Sequence, residues 1–243
     1  MKTVLITGVG SGIGRALAEA YLQSGVRVYG ISRRKTPDIK HPNLLYLSFD
    51  LSAVERIGTV LRPFLQDVKQ LDMVILNAGV LGEIAEMTQT PLYRFEEVMR
   101  INVWANKVLL DTLIQMRIPV AQVVGISSGA AVNGSKGWGP YALSKASLNM
   151  LMKLYAHEMP ESHLCALAPG VVDTPMVRYI VDEVDGRRFP SAERLRNGPI
   201  LTPNEAVKRL ILAFEAVKKY ESGTFLDVRK MEIDSPPDPR GTR

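Results

Sequence analysis

A tyrosine and a lysine four residues apart form the pair in this sequence with the clearest capacity for acid–base chemistry. Tyr141 and Lys145 fall in a stretch with helical periodicity, so their side chains are predicted to share one helix face. A tyrosine with an ordinary pKa near ~10 exchanges protons poorly at neutral pH, and a lysine ammonium beside it is expected to lower that pKa. Ser128, at the end of an apolar run, adds a hydroxyl that can hold the same substrate oxygen. The three residues predict proton exchange with a carbonyl or alcohol oxygen.

A glycine-rich segment near the start of the chain predicts a phosphate site. Residues 7–14 read TGVGSGIG, directly after an apolar run and directly before a helical stretch. Glycines allow a sharp turn and a close approach of the backbone to a pyrophosphate, and the helix N-terminus adds unpaired N–H groups and partial positive charge. The residues predicted to bind a dinucleotide here are Gly8, Gly10, Ser11, Gly12, Ile13 and Gly14.

Basic residues after the second apolar run indicate which nicotinamide cofactor binds. Proteins that bind NAD usually place a carboxylate at this point for the ribose 2′-hydroxyl, whereas an arginine there accommodates the 2′-phosphate of NADP. Here Ser32 is followed by Arg33, Arg34 and a lysine, with no acidic residue before Asp38. We therefore predict that the chain binds NADP(H) through Ser32, Arg33 and Arg34. A solvated basic turn is the alternative interpretation.

Short apolar runs alternate with longer amphipathic stretches along the chain. Most of the runs are continuous rather than alternating, as expected for strands covered on both faces. This pattern predicts an α/β, doubly wound Rossmann fold. We expect a single domain over residues 1–234, with a parallel sheet of about seven strands and helices on both faces. The runs lie at 3–6, 26–31, 44–49, 73–76, 120–126, 164–168 and 224–228, and the helical stretches at 12–24, 53–68, 92–116, 141–158 and 203–220.

Two segments depart from this alternation. Residues 175–200 are rich in proline, glycine and charge and follow the sixth run, where sheets of this class have their ligand crevice. We interpret them as a substrate lid with short helices, and a surface loop is the alternative. Residues 235–243 have the composition of a flexible C-terminal tail.

The composition excludes several other classes of protein. With 243 residues, 46% apolar and 23% charged, the chain is neither wholly disordered nor collagen-like nor a coiled coil. Its net charge of +5 is scattered without a basic face, so no nucleic-acid partner is expected. No secretory signal and no apolar run of ~18 residues is present, so we expect a cytoplasmic protein without a membrane contact. The lone Cys165 is predicted to be a buried apolar side chain, and the histidines show no metal-binding spacing.

When the glycine segment is combined with Asn77-Ala78-Gly79, Ser128 and Tyr141-Ala-Leu-Ser-Lys145, the sequence resembles the short-chain dehydrogenase/reductase family over residues 2–228. The resemblance implies a compact, NADP-dependent oxidoreductase. It implies that Tyr141 is the general acid/base, that Lys145 also holds the nicotinamide ribose and that Ser128 orients the substrate carbonyl. It adds Asn102 as a fourth catalytic residue, which supports a proton-relay water. The further cofactor contacts that it implies are Asp50, Leu51, Asn77, Ala78, Gly79, Pro169, Gly170, Val172 and Thr174.

The expected substrate is a small molecule that carries a carbonyl group. Its site should lie between Ser128, Tyr141 and the lid, and the mostly apolar wall favours a small or aromatic ketone or diketone. In this the chain is similar to the benzil and sepiapterin reductases of the family. The residues predicted to contact substrate are Ser128, Ala130, Gly134, Trp138, Tyr141 and Met176.

Two other functions stay open. A 3-oxoacyl-[acyl-carrier-protein] reductase fits the basic excess, because that carrier is acidic, but the C-terminal end does not resemble that subgroup. A non-catalytic NADPH-sensing regulatory protein is less consistent with the sequence, because Tyr141 and Lys145 are both present.

The stretches 92–116 and 141–158 carry apolar residues on more than one helix face. One face can cover the sheet and another is left for a partner. Family members commonly pair these helices, so the resemblance implies a homodimer or homotetramer.

Overall fold

Seven parallel strands form one sheet in the computed structural model, which describes residues 1–233. The strand order is β3-β2-β1-β4-β5-β6-β7, so the order reverses between β1 and β4. The predicted doubly wound Rossmann fold is confirmed. The predicted tail at 235–243 and the domain boundary at 234 lie outside the described residues. The strands are β1 (Thr3–Thr7), β2 (Arg27–Ser32), β3 (Leu44–Ser48), β4 (Met73–Leu76), β5 (Gln122–Ile126), β6 (His163–Ala168) and β7 (Thr224–Asp227).

Helices fill most of the connections between the strands. The link from β2 to β3 contains no helix, as its short length predicts. The stretch predicted to be helical at 92–116 consists of two α-helices joined by a π-helical segment, Arg100–Trp104. The helices are α1 (Gly12–Gln23), α2 (Ile57–Phe64), α3 (Leu92–Met99), α4 (Ala105–Gln115), α5 (Ala130–Asn133), α6 (Gly139–Glu158), α7 (Pro175–Glu183), α8 (Pro190–Asn197) and α9 (Pro203–Ala216).

Each face of the sheet is covered by its own apolar core. Leu5 and Val74 lie in the core beneath α2, α4 and α6, whereas their chain neighbours Ile6 and Ile75 lie in the core beneath α1 and α9. Successive strand residues point to opposite faces, so covering both faces requires the continuous apolar runs seen in the sequence. Cys165 of β6 is fully buried in the second core, and burial raises the pKa of its thiol to about 12.

Within residues 1–233, no helix has the length and apolar character needed to cross a bilayer. The same part of the chain brings together no group of three His, Cys, Asp or Glu side chains that could hold a metal ion. The cytoplasmic location stays a prediction.

Candidate active site

A crevice of about 490 Å³ opens at the carboxyl ends of the strands, beside the reversal of strand order between β1 and β4. In sheets of this class that position is the usual ligand site. Every residue predicted to bind cofactor lines the crevice except Gly14. A Cβ atom on Gly14 would lie 2.3 Å from Asn77 Nδ2, so the lack of a side chain there is required for the close packing of α1 against the end of β4.

The glycine segment forms a cradle whose shape depends on the absence of side chains. Gly8 and Gly12 have φ angles of +78° and +54°, in the left-handed region that favours glycine. A Cβ atom on Gly12 would approach Thr174 Cγ2 to 2.9 Å across the crevice. The side chain of Ser11, which precedes α1, makes no capping hydrogen bond, so the first N–H groups of the helix have no side-chain acceptor there. These features fit a pyrophosphate group.

Thr7 ties the two strands on either side of the reversal together. Its hydroxyl accepts hydrogen bonds from the backbone N–H groups of Asn77 and Ala78, both at 3.0 Å. The Asn77 side-chain amide donates to the Thr7 carbonyl, also at 3.0 Å. These bonds bring the end of β4 to the glycine segment and give Asn77 and Ala78 their places in the crevice wall. Thr7 was not among the predicted site residues.

Hydrogen bonds from β3 position the basic segment after β2. The Ser32 hydroxyl donates to the Tyr46 hydroxyl at 2.7 Å, and the Tyr46 hydroxyl donates to the Arg34 carbonyl at 2.7 Å. Tyr46 thus fixes the backbone that carries both predicted arginines. Arg33 is exposed and makes no ion pair within the described residues.

Arg15 and Asp38 lie beside this end of the crevice without lining it, and neither was among the predicted site residues. The Arg34 guanidinium forms an ion pair with Asp38, and Arg15 of α1 lies 3.4 Å from the same carboxylate oxygen. Arg15 therefore adds a third cation near Arg33 and Arg34, one turn along the helix from Ser11. Asp38 is the acidic residue that the sequence placed beyond the cofactor-specifying position, and the loop brings it back beside Arg34.

Ser128, Tyr141 and Lys145 lie together at the other end of the crevice. Tyr141 lies in the first turn of α6 and Ser128 follows β5, and their hydroxyl groups form a hydrogen bond. Lys145 lies one turn after Tyr141, with its Nζ atom 5.6 Å from the centre of the tyrosine ring. The ammonium group donates to the Ile126 carbonyl at the end of β5, at 2.7 Å. This arrangement places two hydroxyl groups and one cation around a common space.

Burial changes the acidity of both titratable groups. It raises the pKa of Tyr141 to about 12, and the hydrogen bond from Ser128 opposes this increase only in part. It lowers the pKa of Lys145 to about 8. The sequence analysis expected Lys145 to lower the pKa of Tyr141, whereas the net shift of that pKa is upward. The reason is that desolvation of the phenolate is the larger effect.

Asn102 occupies a supporting position rather than the crevice wall. Its side chain is fully buried, with Nδ2 donating to the Val80 carbonyl and to Ser144 Oγ, both at 2.9 Å. Its Oδ1 accepts from the Val80 N–H at 2.8 Å, and Val80 lines the crevice. The backbone carbonyl of Asn102, within the π-helical segment, accepts from the Asn106 side chain at 2.8 Å. The amide side chain of Asn102 therefore fixes the loop after β4.

Apolar side chains from the lid and from the loop before α6 line the substrate end. Trp138 and Met176 belong to this lining as predicted, whereas Ala130 and Gly134 do not. The chain turns into the short helix α5 immediately after Ser128, where the Ala130 N–H donates to Ser128 Oγ at 3.1 Å, and this turn carries both residues away from the crevice. The apolar residues that line this end are Val80, Trp138, Met176, Val177, Ile180 and Leu195.

Known proteins resemble this chain in sequence and in fold. The family model described as short chain dehydrogenase matches residues 2–185. A protein of Bacillus subtilis (strain 168) named benzil reductase ((S)-benzoin forming) is 30% identical over 246 residues, which covers 95% of this chain and 99% of that protein. An Arabidopsis thaliana protein named NADPH-dependent pterin aldehyde reductase is 28% identical over 186 residues, which covers 72% of this chain and 77% of that protein.

A crystal structure of a Saccharomyces cerevisiae short chain dehydrogenase/reductase superposes with a TM-score of 0.82 at 23% identity, covering 98% of this chain and 97% of that one. At this level of identity the likeness shows the fold alone.

Proposed function

Because the chain belongs to the short chain dehydrogenase family, we propose that this oxidoreductase is an NADPH-dependent carbonyl reductase with Tyr141 as its general acid. One observation supports the proposal most strongly. A single crevice is lined by the glycine cradle, by Arg33 and Arg34, and by the Ser128, Tyr141 and Lys145 side chains. A dinucleotide cradle and a proton donor thus share one space, as hydride transfer with protonation requires.

In this proposal, different residues of the crevice bind different parts of the cofactor. The glycine cradle and the start of α1 take the pyrophosphate, and Ser32, Arg33 and Arg34 take the 2′-phosphate. By the family resemblance, Asp50 and Leu51 hold the adenine. By the same resemblance, Asn77, Ala78 and Gly79 line the cofactor after β4. The segment that contains Pro169, Gly170, Val172 and Thr174 holds the nicotinamide carboxamide. When bound, NADPH supplies the hydride.

The pKa values suit a reductase. With a pKa of about 12, the Tyr141 hydroxyl is protonated at neutral pH and can donate its proton to the substrate oxygen as negative charge develops there. The Ser128 hydroxyl holds the same oxygen. The Lys145 ammonium, fixed on the Ile126 carbonyl, supplies the positive charge that favours proton release by Tyr141. Lys145 also holds the nicotinamide ribose in this proposal.

The apolar substrate end supports a small or aromatic ketone or diketone as substrate. Its six apolar side chains provide no cation for a carboxylate or phosphate group of the substrate. The relative named benzil reductase supports an aromatic 1,2-diketone in particular.

The test is loss of NADPH absorbance with a panel of ketones, 1,2-diketones, aldehydes and a 3-oxoacyl thioester, repeated with NADH. We expect turnover with NADPH and a 1,2-diketone, and a decrease in kcat/KM of about 10²–10⁴-fold in Tyr141→Phe. Tyr93→Phe is the matched control, because Tyr93 is exposed on α3, and it should leave the rate unchanged.

Two outcomes would replace the proposal. If the 3-oxoacyl thioester were the best substrate, the chain would be a 3-oxoacyl-[acyl-carrier-protein] reductase. If NADPH bound tightly and no compound in the panel were reduced, a regulatory NADPH sensor would become the better interpretation.

We also propose a homodimer or homotetramer formed through α6 and its neighbour α4. Leu143, Met150 and Leu154 are each about half exposed and are spaced by seven and four residues, so they form one apolar stripe along α6. Trp104 and Ile114 are exposed on the adjacent helical segments.

A further inference from the structure

The lid contacts the loop before α6 at two buried points. Phe189 packs against Gly137 so closely that a Cβ atom on Gly137 would lie 2.5 Å from the phenyl ring. Two residues further along, at the start of α8, Ser191 Oγ accepts a hydrogen bond from Trp138 Nε1 at 2.5 Å. Trp138 and Ser191 are both buried. The indole is therefore held by the lid across 53 residues of sequence.

The same indole contacts the proposed proton donor. The rings of Trp138 and Tyr141 are tilted by 60° with their centres 6.0 Å apart. The Trp138 carbonyl accepts from the Ala142 N–H at 2.7 Å, so the backbone of Trp138 belongs to the first turn of α6. Trp138 thus lies between Ser191 of the lid and Tyr141, and it lines the crevice while it contacts both.

We propose that Ser191 is a positioning residue that fixes the Trp138 indole as a preset wall of the substrate end, and that preference for aromatic over small aliphatic diketones depends on this hydrogen bond. The proposal rests on the proposed function of the crevice as a carbonyl-reducing site. A flat aromatic ring gains most from a rigid indole beside it, whereas a small aliphatic diketone needs no such surface. Trp138 is then a specificity-determining residue.

The chemistry of indole makes this bond decisive. The indole N–H can only donate, so a buried tryptophan without an acceptor shifts the equilibrium toward a conformation in which water reaches the N–H. The other hydrogen bonds between side chains and the ion pairs that join the described lid to the rest of the chain are exposed. Arg194 donates to Ser135 Oγ at 3.2 Å, Arg188 donates to Gln89 Oε1 at 2.5 Å, and Arg188 Nε lies 3.6 Å from the Glu86 carboxylate. Exposed contacts of this kind contribute little.

The first experiment follows the lid without any substrate. The two tryptophans are Trp104 and Trp138, so in a Trp104→Phe background the emission reports Trp138 alone. In Ser191→Ala we expect a red shift of that emission and cleavage by trypsin after Arg187 or Arg188, both exposed, about tenfold faster than in the parent chain. Ser191→Thr keeps the hydroxyl and should restore both readouts. Ser135→Ala is the matched control and should change cleavage less than twofold.

The second experiment measures selection between substrates. We expect Ser191→Ala to raise KM about tenfold for benzil, with less than a twofold change in kcat, and to leave KM for butane-2,3-dione within twofold. Trp138→Phe lacks the indole N–H, so its KM for benzil should be similar to that of Ser191→Ala. Adding Ser191→Ala to Trp138→Phe should then have no further effect. Benzil binding is measured in parallel by quenching of Trp138 emission in the Trp104→Phe chain.

Two results would overturn the inference. The first is that trypsin cleaves Ser191→Ala no faster than Ser135→Ala. The second is that Ser191→Ala opens the lid but changes neither the ratio of the KM values for benzil and butane-2,3-dione nor the benzil affinity measured by quenching. If neither diketone were reduced by the parent chain, the proposed function would fail, and the emission, cleavage and benzil quenching data would still decide whether Ser191 fixes a benzil-binding wall.

Discussion

At the scale of single residues, burial rather than ion pairing governs the proposed acid–base chemistry. Desolvation favours the neutral form of each group, and it raises the pKa of Tyr141 to about 12 and lowers that of Lys145 to about 8. The tyrosine therefore stays protonated throughout the neutral range, whereas the charge on the lysine is lost just above it. Tyr141 therefore keeps its proton across the neutral range, and the charge of Lys145 is the property of the site that changes with pH.

The rate of carbonyl reduction should consequently have an alkaline limb set by Lys145. We expect kcat/KM with NADPH to be level from pH 6 to about 7.5 and to fall above pH 8, because protonated Lys145 decreases tenfold per pH unit above its pKa. The measurement is a pH–rate profile with a 1,2-diketone. Lys145→Arg keeps its charge up to pH 10, so whatever activity it retains should show no limb near pH 8. A limb at the same pH in Lys145→Arg would assign the titration to another group.

The proposed preference for NADPH over NADH depends on Arg33, Arg34 and Asp38. Arg33 makes no ion pair within residues 1–233, whereas Arg34 is paired with Asp38. We expect Arg33→Asp to lower the ratio of the affinity for NADPH to the affinity for NADH by about 10–100-fold. The substitution replaces a charge-assisted hydrogen bond to the 2′-phosphate with repulsion. Asp38→Asn should release Arg34 and tighten NADPH several-fold.

Fluorescence titration with both cofactors measures these affinities, and NADH binding to Asp38→Asn is the internal control because NADH lacks the 2′-phosphate. An unchanged cofactor preference in Arg33→Asp would refute the assignment of this residue to the 2′-phosphate.

At the scale of elements, the π-helical segment between α3 and α4 supports the crevice from behind. It places Asn102 so that one side chain satisfies both backbone groups of Val80 and the Ser144 hydroxyl. The Asn102 side chain is fully buried, so a shorter side chain would leave several polar groups without partners. The segment therefore contributes to stability as well as to the shape of the site.

Asn102→Ala should destabilise the fold even in the absence of cofactor. We expect a loss of about 2–4 kcal/mol in the free energy of unfolding, and a decrease in Tm of about 4–12 °C. Asn197→Ala is the control, because that amide is exposed at the end of α8 and contacts Glu193. Thermal unfolding followed by circular dichroism gives both values. Equal Tm values for Asn102→Ala and the parent chain would show that the amide is dispensable for folding.

The elements themselves could be predicted because local physics specifies them. Both faces of the sheet are covered, so the strands appear as continuous apolar runs, and the strand at 73–76 has the predicted bounds. The π-helical segment could not be predicted, since a change from four-residue to five-residue hydrogen bonding leaves no mark in residue type. The substrate wall was predicted in part. Trp138 and Met176 line it, but the short helix α5 removes Ala130 and Gly134.

At the scale of the whole molecule, the contacts that could not be predicted join segments that are far apart in the sequence. Trp138 meets Ser191 across 53 residues, and Arg15 meets Asp38 across 23. Neither pair has a spacing that any periodicity would reveal, because each depends on how two loops approach over the sheet. The motif residues could be predicted for the opposite reason, because the glycine segment and the Tyr141–Lys145 pair each lie within a short stretch of the sequence.

Assembly through α6 is testable with one charge. Leu154→Glu places a carboxylate on the exposed stripe of Leu143, Met150 and Leu154, and should convert the proposed oligomer to monomer at micromolar concentration without lowering Tm by more than a few degrees. Light scattering after gel filtration gives the mass. Val132→Glu, on the exposed side of α5, is the control and should leave the mass unchanged. A monomeric parent chain would refute the proposed oligomer.

The reversal of strand order between β1 and β4 also dictates when the crevice can form. β1, β2 and β3 are complete within the first 48 residues, whereas Thr7 receives its hydrogen bond from Asn77 across 70 residues. A chain that emerges from the ribosome N-terminus first can pair these three strands before β4 has been synthesised. The bond between Thr7 and Asn77 then closes a long loop, which is the slow kind of contact in folding. The glycine segment can therefore be placed beside β2 early, whereas the complete crevice exists only after β4 has joined the sheet.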